Sequence, residues 1–136
     1  MSIQSILFVV FALFATIISA APIKAEAGSS QLVSRSSYSG DGTFYAPGLG
    51  SCGWDNSSTD MIAAMNHGQM ANGANSNNNA KCGKYINIKG PSGSVKVKIV
   101  DTCPGCATGD VDMSPAAFSK IAKLEQGRVP ITWSWA

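Results

Sequence analysis

Charge is scarce in this chain. Only 13% of its 136 residues are Asp, Glu, Lys or Arg, ten basic against eight acidic, for a net charge of +2. That balance holds no dense basic patch of the kind that neutralises phosphates, so nucleic acid is excluded as the expected partner. Lys81, Lys84, Lys89, Lys96 and Lys98 do cluster in sequence. Lys96 and Lys98, however, alternate with Val95, Val97 and Ile99, the pattern of the wet face of a strand. Histidine is scarcer still: His67 stands alone in the polar stretch MNHGQM, no nucleophile stands out as its partner, and a surface position is expected. Long apolar runs are missing too, with one exception. Ile6–Ala20 (ILFVVFALFATIISA) is unbroken, stops at small residues before Pro22 and is followed by no basic cluster. It is too short for a comfortable membrane span and reads as a secretory signal peptide over residues 1–20. Cleavage is expected near Ala20, with Ala25 or Ala27 as later options. The protein is therefore expected to be secreted to the extracellular space and free of the membrane after processing.

Export changes the meaning of the four cysteines. In an oxidising compartment an even count points to disulfides. Zinc needs four good ligands, and Cys52 and Cys82 lack the paired spacing of a zinc pattern. The pair in DTCPGC does not sit at a helix start within a βαβ unit, which is where a thioredoxin-type redox motif belongs. No metal and no cofactor are expected. Four cysteines permit three pairings, of which Cys52–Cys82 with Cys103–Cys106 is favoured. The first bridge would close a loop of roughly 30 residues, worth about 3–4 kcal/mol on the chain-entropy account. The second closes a tiny ring and would shape its loop more than it stabilises the fold.

Residues 21–38 are small, polar and patternless and read as a flexible leader to a single domain over 39–136. Thr43-Phe44-Tyr45 has strand character and leads into a Gly/Pro-rich loop ending at Cys52. SSTDMIAAMN, with Ser or Thr ahead of an acidic residue and a short apolar run, predicts one or two helical turns. KYINIKG and SVKVKIVD alternate around a turn at Pro91–Gly93 and predict a hairpin. Ser114 can cap a helix in which Pro115 takes the first position, Phe118, Ile121 and Ala122 share a face, and Gly127 marks the end. VPITWSWA predicts a last strand with Ile131, Trp133 and Trp135 on one side. Short strands, small helices and disulfides together predict a compact, mainly β barrel. There is no internal repeat.

The segments GTFYAPGLGSCGW, CGKYINIKG, VKIVDTCPGC, GDVDMSPAAFSKIA and GRVPITWSW, in this order, resemble the double-psi β-barrel domains of the expansin and rare lipoprotein A type. The similarity spans nearly all of residues 39–136 and is nearest to small single-domain secreted forms such as loosenins; barwin-like proteins, kiwellins and family 45 endoglucanases share the barrel more distantly. The resemblance implies a six-stranded double-psi β-barrel with one or two short helices, stabilised by disulfides. It also implies a polysaccharide groove in which an aspartate flanked by apolar residues and followed by Ser, here Asp112, is the key residue. A second groove aspartate falls on Asp101, and a groove-lining threonine on Thr43. The endoglucanases carry a catalytic base shortly before their SCGW segment, and that position is Ala46 here. Since an inverting hydrolase needs both an acid and a base, ordinary hydrolysis is not expected, although Asp112 could act as an acid if burial or a neighbouring carboxylate raised its pKa.

Asp101 and Asp112 could each simply hold a turn by accepting backbone N–H bonds, but an Asp within an apolar strand–helix junction, as at 112, calls for a further role. Asp110, next to Gly109, reads as a turn residue. Trp133 and Trp135 share a strand face and are expected in the core, whereas Tyr45 and Trp54, beside a glycine-rich loop, are candidates for stacking on sugar rings. Asn56-Ser57-Ser58 is an N-glycosylation sequon. The leading function is therefore binding a cell-wall polysaccharide (cellulose, chitin or peptidoglycan) in the groove and loosening it without breaking bonds, by a protein that is a monomer. A protease inhibitor or host-interaction effector working through loops 46–54 or 70–80 is the first alternative. A peptidoglycan lytic transglycosylase, which can work with one carboxylate, is the second.

Overall fold

The computed structural model describes residues 36–136; the expected signal peptide and most of the expected leader lie outside them. Six strands close into a barrel: β1 (Ser37–Phe44), β2 (Ile62–Asn66), β3 (Tyr85–Gly90), β4 (Gly93–Cys103), β5 (Val111–Met113) and β6 (Val129–Trp135). Around the barrel they run β1-β5-β2-β4-β3-β6. The β1/β5 and β2/β4 pairs are parallel, the other four antiparallel. Two helical turns, α1 (His67–Met70) and α2 (Pro115–Phe118), and two 3-10 turns sit between them.

The interior follows from alternation. In β3, Ile86 and Ile88 point inward while Tyr85, Asn87 and Lys89 face solvent, as period-two patterning requires. They meet Val97, Ile99, Met65, Val111, Met113 and Trp133 in one buried cluster, with Phe118 and Ile121. The β3–β4 hairpin closes through Gly90 opposite Gly93, with Pro91 and Ser92 in the turn, where the sequence predicts it.

Three local expectations change. Residues 62–66 are a strand, not helical turns, and all five are buried. A strand hydrogen-bonded on both edges and covered on both faces reads as a continuous apolar run, and a short run does not distinguish strand from helix. Ser37 and Tyr38, expected in the leader, belong to β1, where the Tyr38 ring stacks on Trp133 at 4.4 Å. The helix after Ser114 is only Pro115–Phe118. Its cap is as expected, with Ser114 Oγ accepting from the Ala117 N–H at 3.2 Å, and Phe118, Ile121 and Ala122 are buried. Gly127, with φ 69°, closes a separate 3-10 turn over Leu124–Gln126.

Both disulfides of the favoured pairing are present, Cys52–Cys82 with Cα atoms 5.6 Å apart and Cys103–Cys106 at 5.4 Å. No free cysteine remains.

Candidate functional site

The candidate site begins with strand register. β1, β5, β2 and β4 lie side by side and set Thr43, Asp112, Ala64 and Asp101 opposite one another in a single row. Residues directly opposite share a face of the sheet. With neighbouring strands about 4.8 Å apart, the two aspartate backbones stand on the order of 10 Å apart, and only the buried methyl of Ala64 lies between them. A bulge completes the row. Along β4 the register against β2 passes from Ile99 opposite Ala63 to Asp101 opposite Ala64, skipping Val100. Ile99 and Val100 are both buried, and the extra residue re-aims Asp101 to the side that Asp112 occupies.

The two carboxylates have different surroundings. Asp101 Oδ1 accepts the backbone N–H groups of Ser51 and Thr102, each at 2.8 Å, and the Tyr45 hydroxyl donates to its Oδ2 at 3.3 Å. Asp112 receives one hydrogen bond, from the Thr43 hydroxyl to Oδ1 at 2.8 Å. Burial pushes the Asp112 carboxyl above the usual carboxylate range, against the opposing pull of the Thr43 bond and of Arg128, with Asp101 adding a smaller push upward. Part of its surroundings is sulfur: a carboxylate oxygen of Asp112 and the Sγ atoms of Cys103 and Cys106 all lie within 4.8 Å of one another. Those sulfurs are bonded to each other, so the cluster offers a cation one carboxylate and no thiolate. The Tyr45 phenol is pushed well above its ordinary value, by burial first and then by the Asp101 charge, so it remains a hydrogen-bond donor.

The segment leading to Asp112 is clamped from three sides. Trp133 Nε1 donates to the Gly109 carbonyl at 2.8 Å, Gln69 Oε1 accepts from the Gly109 N–H at 3.0 Å, and the fully buried Asn66 donates to the Asp110 carbonyl at 3.0 Å. β1 crosses this turn so closely that a Cβ on Gly40 would collide with the Gly109 backbone, and one on Gly109 with the Ser39 carbonyl. Asp110 is the turn residue the sequence suggests, its carboxylate accepting from the Asp41 and Ala107 N–H groups at 2.8 and 3.1 Å.

The structure thus brings together Thr43, Tyr45, Asp101 and Asp112. The Trp54 ring is 41% exposed, packs by Gly83, and has Lys98 Nζ 4.7 Å from its centroid. Asn56, the sequon residue, is half-buried, and its Nδ2 points to Asp60 at 3.3 Å. Sequence reasoning missed Ser51, Thr102 and Asn72. The Ser51 and Thr102 hydroxyls lie 2.7 Å apart, and Asn72 Nδ2 donates to Thr102 Oγ1 at 2.9 Å, which extends the polar row beyond Asp101. Only the adjacency of Thr102 to Asp101 signals this. Asn72 comes from a loop whose position no local pattern reveals.

A family model described as lytic transglycolase matches residues 39–133. An EG45-like domain containing protein of Citrus jambhiri is 36% identical over 115 residues, covering 77% of this chain and 88% of the relative. Among solved structures, the Streptomyces papain inhibitor superposes with a TM-score of 0.69 at 30% identity, over 74% of this chain and 94% of that one. An expansin variant of Clavibacter michiganensis in complex with cellohexaose gives 0.62 at 25% identity, over 74% of this chain and half of that protein.

Proposed function

This chain belongs to the expansin-like double-psi β-barrel family, and on that premise we propose that it is a secreted protein that grips a β-linked cell-wall polysaccharide in the Thr43–Asp112–Ala64–Asp101 row and loosens it without breaking covalent bonds. The observation that carries this reading is the contrast within the row. Asp101 is an anchored acceptor with three donors, whereas Asp112 has one partner and acceptor capacity left for a sugar hydroxyl. A carboxylate–hydroxyl bond contributes about 1.5–3 kcal/mol where both groups are desolvated. Ala64 leaves a low floor on which a pyranose ring can lie, and Thr43 and Tyr45 form the sides. Secretion is supported by the apolar run Ile6–Ala20 and by two disulfides.

The test is depletion from solution by insoluble cellulose, chitin and peptidoglycan, with Asp112→Asn beside the wild type and the released sugars analysed. The expected result is that one polymer removes the wild type, the variant stays behind about tenfold more, and no new sugar ends appear. Anhydro-sugar ends would replace loosening by lytic transglycosylase chemistry in the same groove. Absence of depletion by all three polymers would sink the groove reading.

A second reading has its own observation. Leu49 is 77% exposed, at the base of a turn over residues 50–54 that its own bridge to Asp55 and the Cys52–Cys82 disulfide brace. A rigid loop presenting an apolar side chain suits a protease cleft, and the chain is similar to a papain inhibitor. If Leu49→Asp abolishes inhibition of papain by a wild type that inhibits it, while Asp112→Asn does not, this reading takes precedence.

A further inference from the structure

The outer face of β3 and β4 carries side chains that the groove does not use. Lys96 and Lys98 point outward from β4, and Tyr85, directly opposite Lys98 on β3, is 45% exposed. Lys96 Nζ lies 5.1 Å from the centroid of the Tyr85 ring, as Lys98 Nζ lies 4.7 Å from that of Trp54. Next to Tyr85 is an open cavity of about 500 Å³, lined by Lys81, Lys84, Tyr85, Lys96, Trp135 and Ala136. No acidic side chain lines it. Among the described residues the ion pair found is Arg128–Asp41, which involves none of these lysines. Four ammonium groups of one sign gather around exposed rings and repel one another; the Lys81 ammonium also donates to the Met70 carbonyl at 3.4 Å.

We propose that this wall is a second glycan site, distinct from the groove, that takes a carboxylate-bearing polysaccharide, a polyuronate. The rings of Tyr85 and Trp54 offer apolar faces to the C–H faces of pyranoses, and the lysines beside them match the carboxylate that each uronate ring carries. Charge complementarity selects an acidic polymer over a neutral one, and the aromatic faces select a sugar over a simple polyanion. The two sites adjoin, because Ser51 donates to Asp101 in the groove while Trp54, three residues on, lies under Lys98. The inference shares with the proposed function only the class of polymer, wall polysaccharide.

The experiment is retention on covalently cross-linked polygalacturonate beads. It compares the wild type, Tyr85→Ala, the double variant Lys96→Glu/Lys98→Glu and Asp112→Asn, each checked for fold by circular dichroism. The wild type is expected to be retained at low salt and released as salt rises. The double charge reversal should weaken retention more than about tenfold and Tyr85→Ala about three- to tenfold. Asp112→Asn should bind these beads like the wild type while losing the neutral polymer. If neutral polymers retain nothing but the beads behave as described, the groove reading fails and this one stands. No retention of the wild type, retention indifferent to Tyr85→Ala, equal displacement by polyglutamate and by oligogalacturonate, or loss of bead binding in Asp112→Asn would each overturn the second site.

Discussion

The proposed groove and the lysine-bearing wall are built from the same barrel by opposite means. In the groove, polar side chains are half-buried and partnered: Asp101 has three donors, Thr43 bonds to Asp112, and a buried Asn66 holds the turn before it. On the wall, Lys96, Lys98 and Tyr85 stand where plain strand alternation puts them, and cation–ring contacts are their organising interactions. The groove therefore depends on distant parts of the chain meeting correctly, whereas the Tyr85, Lys96 and Lys98 part of the wall needs only an intact hairpin. Changes to the packing beneath the groove should alter its geometry and leave the wall as it is, except where the two share a segment.

That shared segment is residues 51–54, pinned by Cys52–Cys82, and the largest expected effect lies there. Replacing both cysteines by alanine should cost about 3–4 kcal/mol, read as a fall in the urea midpoint with a slope that rises as the unfolded chain, freed of its cross-link, exposes more surface. Retention on neutral polymer and on polyuronate should weaken together, because Ser51 and Trp54 are released at once. Loss at one site alone would show that the segment does not couple them.

An intermediate effect separates the two aspartates. Asp101→Asn replaces one of the two carboxylate oxygens with a donor, so the Ser51 and Thr102 N–H groups or the Tyr45 hydroxyl lose an acceptor. The expected cost is about 1–3 kcal/mol, whereas Asp112→Asn, with a single hydroxyl partner that can also accept, should unfold at or above the wild-type temperature. Equal destabilisation by both changes would contradict the assignment of Asp101 as the anchor.

The smallest effect is in pH. Because burial raises the folded-state pKa of Asp112, the folded protein binds a proton more readily than the unfolded chain does between the ordinary carboxylate value and the raised one. The contribution of this group to stability is thus greatest at low pH, falls as pH rises through that window, and is flat above it. Asp112→Asn removes the penalty, so its advantage in melting temperature should be present at neutral pH and vanish below the ordinary carboxylate range. The opposite slope would mean that Asp112 is held as a stabilised anion.

Much of this was legible one segment at a time. The β3–β4 hairpin, the Ser114–Pro115 helix start and the inward face of β3 are recorded in residues a few positions apart. Turn and cap residues act within four residues, and alternation repeats every two. Asp101, Asp112 and Thr43 were reached through resemblance to a family, since no local pattern marks them. Trp54 and Tyr85 show the boundary well. Both are aromatics beside polar residues; the sequence offers Trp54, with Tyr45, as a candidate for stacking on sugar rings, and only the fold places the Trp54 ring beside Lys98 and Tyr85 beside a cavity.

By itself, then, the sequence determined the local elements, the cysteine count that makes two disulfides possible and the inventory of side chains able to hold a sugar. Tertiary structure alone decided that residues 62–66 form a strand, that skipping Val100 re-aims Asp101, and that Thr43 meets Asp112 across 69 positions of chain. The reason is physical. Local dihedral preferences act over a turn or two, whereas the parallel β1/β5 and β2/β4 pairings draw their energy from burying distant strands against each other. Only closure of the barrel supplies that burial, and with it the row that sets Thr43, Asp112, Ala64 and Asp101 opposite one another.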